Sequence, residues 1–183
     1  TEVTDLDRVL VAAGATIPVF RLEKWHYKNL TSVSIFPDKF PIPETDKLAR
    51  GLTGWGHMEG EVWFSRKAIY EGFHIDDDAK NVVIHEFIHL MDMQDGIANG
   101  LIEELMTVED RDDWKTIARE AAKKIQTQGS TIREYAIANP VEFIAATSEY
   151  YFECPDQLRS EHPKLYRALD KIFNPKVSRF SYR

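Results

Sequence analysis

His85-Glu86-Phe87-Ile88-His89 lies inside an apolar stretch that runs from Val82-Val83-Ile84 to Leu90-Met91, and this segment decides the reading of the chain. Apolar side chains surround it on nearly every side at helical period, which predicts a buried helix. Asp76, Asp77 and Asp78 are expected to open that helix, where negative charge suits the positive end of the dipole, and Gly96 to stop it. The spacing i, i+4 puts both imidazoles on one face, within reach of one metal ion. Glu86, beside them, can take a proton from an attacking water. A random chain of this composition would hold about 0.02 such HExxH motifs. Two surface histidines on an amphipathic helix are the bland account, and burial argues against it, because buried histidines need partners.

Outward from this helix, Thr4 reads as an N-cap for a helix carrying Leu6, Val9, Leu10 and Ala13 on its apolar face. Thr31 to Phe36 alternates and is β-branched, a strand that stops at Pro37. Residues 37–60, rich in proline and glycine, are expected to be one long loop. Glu61 to Ser65 is a second strand, placed as the edge on which an extended peptide could pair. C-terminal to the motif, Trp114 to Ile125 predicts a helix ending near Gly129, and Asn139-Pro140 opens another that runs to about Cys154. Leu165 to Phe173 predicts a last helix before Asn174-Pro175. Few strands and many helices indicate an α+β domain spanning residues 1–183.

Composition narrows the function classes. The net charge is −7 over 183 residues with no basic block, so nucleic acid is not an expected partner. No apolar run approaches the ~20 residues of a membrane span, and the acidic start lacks the form of a secretory signal. One cysteine, Cys154, leaves no internal disulfide and no cysteine-rich zinc ribbon. A soluble, cytoplasmic protein is the expectation.

A catalytic zinc site needs a third protein ligand. The elongated motif with glycine and a ligand downstream fails, because Asp92 and Asp95 occupy those positions. Glu103, Glu104 and Glu109 fall at the separations of thermolysin-like enzymes, while Glu142 follows Tyr135 after six residues. Spacing alone leaves Glu109 and Glu142 level. Asn139 with Glu142 also has the form of a capping box, in which Glu142 would serve only the helix end. Ala145 and Ala146, between Glu142 and Glu149, would let the motif helix approach closely. Glu149 is a candidate partner for a ligand histidine, or else a surface charge. Asp92 could accept a ring N–H from a ligand histidine.

The block His85 to Asp92 followed by Gly96, then Glu134-Tyr135-Ala136 through Asn139-Pro140-Val141-Glu142-Phe143 and Ser148-Glu149-Tyr150-Tyr151-Phe152, resembles the zinc peptidases of the Mlc titration factor A family. Ile17-Pro18-Val19 and Ser34-Ile35-Phe36-Pro37-Asp38 fit the same family and stand in the same order. The Tyr-x6-Glu arrangement also occurs in the catalytic domain of anthrax lethal factor, to which the family is structurally related. The resemblance implies a zincin-like fold, with a small sheet and the HExxH helix over a mostly helical lower half. It implies one Zn2+ per chain held by His85, His89 and Glu142, with Glu86 as general base and Tyr135 as the catalytic tyrosine donating to the oxyanion. The implied activity is peptide-bond hydrolysis, aminopeptidase-type on short substrates. A transcriptional repressor of the Mlc kind is the partner in an alternative reading, with peptidase activity secondary. The family's usual N-terminal segment is expected to be missing. Gly56-His57-Met58-Glu59-Gly60 partly matches a segment with which some zinc aminopeptidases hold a free amine, although its final asparagine is replaced by Gly60.

Overall fold

The computed structural model describes residues 2–75 and 77–175, and Asp76 lies outside the described residues. Helix α1 spans Asp5–Thr16, capped by Thr4, whose hydroxyl accepts from the Asp7 amide while the Asp7 carboxylate takes the Thr4 amide. Its buried face is only partly the expected apolar one, with Leu10 packed on the core under the sheet. Leu6 and Val9 are 54% and 62% exposed, whereas Asp7 and Gly14 are buried. Gly14 is needed because a Cβ there would lie 2.4 Å from Val83 Cγ1. Asp7 is tied by two bonds to the Arg66 guanidinium, which joins α1 to the helix after the sheet.

Five short strands follow: β1 (Ser32–Phe36), β2 (Phe40–Pro41), β3 (Leu48–Ala49), β4 (Gly51–Thr53) and β5 (Glu61–Ser65). The expected long loop thus contains three strands, too short to show a period in the sequence. β2 and β3 form a two-stranded ribbon, and the other sheet has the order β1-β5-β4. β1 runs parallel to β5, and β4 antiparallel to it. β5 is therefore central and hydrogen-bonded on both sides, not the edge strand that was expected; β1 and β4 are the edges.

Helix α2 (Arg66–His74), which the sequence reading missed, leads into the motif helix α3 (Val82–Asp92). The start of α3 corrects the expectation: Asn81 is the N-cap, accepting from the Val83 and Ile84 amides, and Asp77 and Asp78 lie before the helix. The Asn81 side-chain oxygen caps the helix, and no acidic residue stands in its first turn. At the far end Gly96 has φ +89°, the left-handed conformation that glycine tolerates.

α3 is buried between two apolar clusters. Val83, Phe87 and Leu90 pack with Val62, Phe64 and Ile69 under the sheet. Ile84, Ile88 and Met91 face the larger cluster built by α4 (Val108–Gln128), α5 (Pro140–Glu153), α6 (Pro155–Glu161) and α7 (Pro163–Phe173). Each fully buried large side chain contributes roughly 1.5–3 kcal/mol, so the motif helix is fixed from both sides. Ala145 and Ala146 are fully buried on α5, and their small size brings α5 close to α3. The Asp92 oxygens are taken by the turn after α3 rather than by a ring N–H: they accept the amides of Asn99, Gly100 and Leu101. With seven α-helices and a small sheet among the described residues, the architecture is α+β.

Candidate metal centre

His85 and His89 project from one face of α3, and Glu142 reaches them from the first turn of α5. His85 Nε2 is 3.1 Å from Glu142 Oε2 and 3.0 Å from His89 Nε2. His89 Nε2 lies 3.6 Å from Glu142 Oε1. One ligand atom from each residue falls within 4.8 Å of the others. Asn139 caps α5 by accepting the Glu142 amide at 2.9 Å, but only that half of the capping box forms. The Glu142 carboxylate turns to the imidazoles instead of to the helix end. Of the alternatives, Glu103 pairs with Arg111, Glu104 with Lys28, and Glu109 is exposed at the start of α4.

Charge explains why these groups tolerate burial. Burial opposes a proton on His85, but hydrogen bonds to Glu142 and Glu149 and the surrounding carboxylates outweigh it, pushing its pKa up to about 10. Burial and the His85 charge push His89 down to about 3. Burial works to raise Glu142, yet its bond to His85 and the proximity of His89 hold it down to about 2. The His85 ring is therefore held protonated between Glu149 at Nδ1 and Glu142 at Nε2, and the Nε2 proton occupies a position that a metal ion can take. Two imidazole nitrogens and a carboxylate oxygen within 4.8 Å of one another form a donor set that fits a divalent cation.

Glu86, the residue after His85 on α3, lies against strand β4. The Thr53 side-chain oxygen is 2.9 Å from both Glu86 Oε2 and Glu86 O. Close passage requires Gly51, where a Cβ would lie 2.5 Å from Glu86 Oε1. Burial pushes the Glu86 carboxyl up to about 7, against the lowering effect of His85 and of the Thr53 hydrogen bond. Tyr135, in the short 3-10 turn Glu134–Ile137, is 56% exposed, with its ring centred 6.4 Å from that of His85. Burial and a hydrogen bond to Glu142 hold its phenol above the ordinary range, so it remains a donor.

These groups line one cleft of about 570 Å³, together with Arg50, Leu52, Trp55, Met93, Val141 and Glu149. Glu59 is exposed and is not among the residues that line this cleft. Glu149 is buried, with Oε1 2.7 Å from His85 Nδ1, so it is no surface charge. Thr53, Gly51 and Arg133 were not singled out by the sequence; they come from strand and loop positions remote from the motif, and no local pattern marks them.

A buried HExxH helix meeting a distal glutamate in an open cleft has the arrangement of a candidate divalent-metal site with a carboxylate beside it. The chain belongs to the glucose-regulated metallo-peptidase M90 family, whose model matches residues 1–174. It is 28% identical over 93% of its length to the uncharacterized protein slr2042 of Synechocystis, covering 66% of that protein. It is 26% identical to the Mlc titration factor A of Pectobacterium atrosepticum, covering 69% of it, and 27% identical to that of Yersinia pestis, covering 67%. The chain thus spans about two thirds of these relatives' length. No helix among its described residues is long and apolar enough to cross a membrane.

Proposed function

We propose that this metallopeptidase-family chain is a zinc-dependent peptidase of zincin-like fold, with His85, His89 and Glu142 as metal ligands, Glu86 as general base and Tyr135 as oxyanion donor. The observation that carries the reading is the convergence of His85 Nε2, His89 Nε2 and the Glu142 carboxylate within 4.8 Å on the cleft wall that also bears Glu86. When bound, the ion supplies Lewis-acid polarisation and lowers the pKa of water.

The chain's own residues do the rest. In the β4–β5 ladder, Ser65 N donates to Arg50 O and Gly54 N to Glu61 O, each at 2.8 Å. Pairing alternates along an antiparallel ladder, so the Gly51 and Thr53 backbone groups face away from β5, towards the cleft. An extended peptide can pair with them there, which brings its scissile carbonyl over Glu86. Glu86 takes a proton as the water oxygen attacks the carbonyl carbon, and it delivers that proton to the departing nitrogen as the C–N bond breaks. The Tyr135 hydroxyl donates to the developing oxyanion.

Aminopeptidase-type cleavage of short peptides is the finer form of this reading, supported by the sequence resemblance. The relatives named Mlc titration factor A support a second reading, in which a repressor of the Mlc kind is a protein partner. A panel of N-blocked and free-amine peptides, assayed with and without a chelator, tests the first. Chelator-sensitive cleavage of free-amine peptides alone is the expected result, cleavage of blocked peptides too would make the enzyme an endopeptidase, and no cleavage of either would overturn the peptidase reading.

A further inference from the structure

Glu149 carries a carboxylate into a site that already holds Glu86 and Glu142, and its side chain is only 3% exposed. A buried carboxylate next to two others needs a cation. Arg133 supplies it: Nη2 donates to Glu149 Oε1 at 3.0 Å and to the Ala79 carbonyl at 2.8 Å. The same Glu149 oxygen lies 2.7 Å from His85 Nδ1. Because a carboxylate only accepts, Nδ1 donates its hydrogen to Glu149, so a metal ion that takes the place of the Nε2 proton finds the ligating lone pair on Nε2, facing His89 and Glu142. Ala79 belongs to the loop that enters α3, and Arg133 itself is the residue from which the Tyr135 turn begins. One guanidinium therefore spans the carboxylate behind His85, the approach to the motif helix and the base of the tyrosine turn.

We propose that Arg133 is a positioning residue for the metal centre: acting through Glu149, it fixes the tautomer and orientation of His85. This rests on the metal-ligand reading above. Arg133→Gln cannot pair with Glu149 as a cation, so the Glu149 carboxylate is free to turn away and His85 loses its anchor.

The test is a double-mutant cycle on Zn2+ affinity, read by competition with a chromophoric chelator, so it needs no peptidase assay. Glu149→Gln and Arg133→Gln are each expected to weaken Zn2+ binding about 10–100-fold, the range found when a partner behind a ligand is lost. The double variant is expected to bind Zn2+ no more weakly than Glu149→Gln alone, because both changes break the same link. Arg133→Lys, which keeps a cation beside Glu149, should recover part of the affinity. It also serves as the test if Arg133→Gln fails to fold. Losses that simply add in the cycle, or unchanged Zn2+ affinity in folded Arg133→Gln, overturn the proposal while leaving the metal site intact. A wild-type chain that takes up no Zn2+ overturns both.

Discussion

The Thr53 side-chain oxygen lies within hydrogen-bond distance of both the carboxylate and the backbone carbonyl of Glu86, at 2.9 Å each. Strand β4 thereby sets the rotamer of the proposed base while offering its outer edge to substrate. Thr53→Val keeps the shape and removes the hydroxyl, at a cost of about 1–3 kcal/mol for a buried acceptor left unpaired. Zn2+ content should stay at one per chain and kcat should fall about tenfold, because the base is less well oriented. The Thr53 bond lowers the Glu86 pKa, so its loss should move the acid limb of the kcat/KM profile to higher pH. A profile and rate identical to wild type would show that Thr53 does not hold the base.

The Glu86 carboxylate is bonded by Thr53 and is not one of the three proposed ligands, which separates its chemistry from metal retention. Glu86→Gln should keep Zn2+ and the melting temperature while turnover falls about 10²–10⁴-fold, the loss expected for a positioned general base. Tyr135→Phe should be milder, because it removes one oxyanion donor from a half-exposed ring and leaves the base in place. Zinc content, melting temperature and rate measured on the same preparations decide this. Full activity in Glu86→Gln would assign the activity to another site or to a contaminant.

The choice of third ligand is tested most directly by comparing two glutamates. Glu142→Ala should abolish Zn2+ retention on gel filtration, since it removes the only carboxylate within 4.8 Å of both Nε2 atoms among the described residues. Glu109→Ala, at the exposed start of α4, should leave it unchanged. The reverse pattern would require a thermolysin-like arrangement that this fold does not bring together.

The motif helix was legible because burial on both faces writes itself as an apolar run, and two histidines in such a run stand out. Glu142 was not decidable from spacing, because the same asparagine-to-glutamate pattern encodes a capping box; only the packing of α5 on α3 shows the carboxylate turned to the imidazoles. Strand β4 was invisible: at three residues, Gly51-Leu52-Thr53 has no period to detect, and its identity depends on pairing with β5 across a turn. That also misplaced the edge of the sheet, since β5 reads as an independent strand until its partner on the far side is known. The face of α1 was only partly legible, for a different reason: Leu10 packs on the core, but Leu6 and Val9 are exposed. A capped, ion-paired aspartate is buried there, and apolarity could not reveal it.

That aspartate gives a prediction about stability rather than catalysis. Burial alone would raise the Asp7 carboxyl, but the Thr4 amide and the Arg66 guanidinium outweigh it and hold the pKa down, from the ordinary 3.8 to about 2. A carboxyl whose pKa is lower folded than unfolded binds fewer protons in the native state, so it contributes stability that is fully present above the unfolded value. That contribution is lost as pH falls from about 4 towards about 2. Asp7→Asn removes the charge and with it the pairing with Arg66, so its stability should lack this component. The difference in urea midpoint between wild type and Asp7→Asn should accordingly be constant from pH 7 to about pH 5 and should shrink towards pH 3. A difference that persists unchanged at pH 3 would mean that the Asp7 charge adds nothing beyond its hydrogen bonds to Thr4.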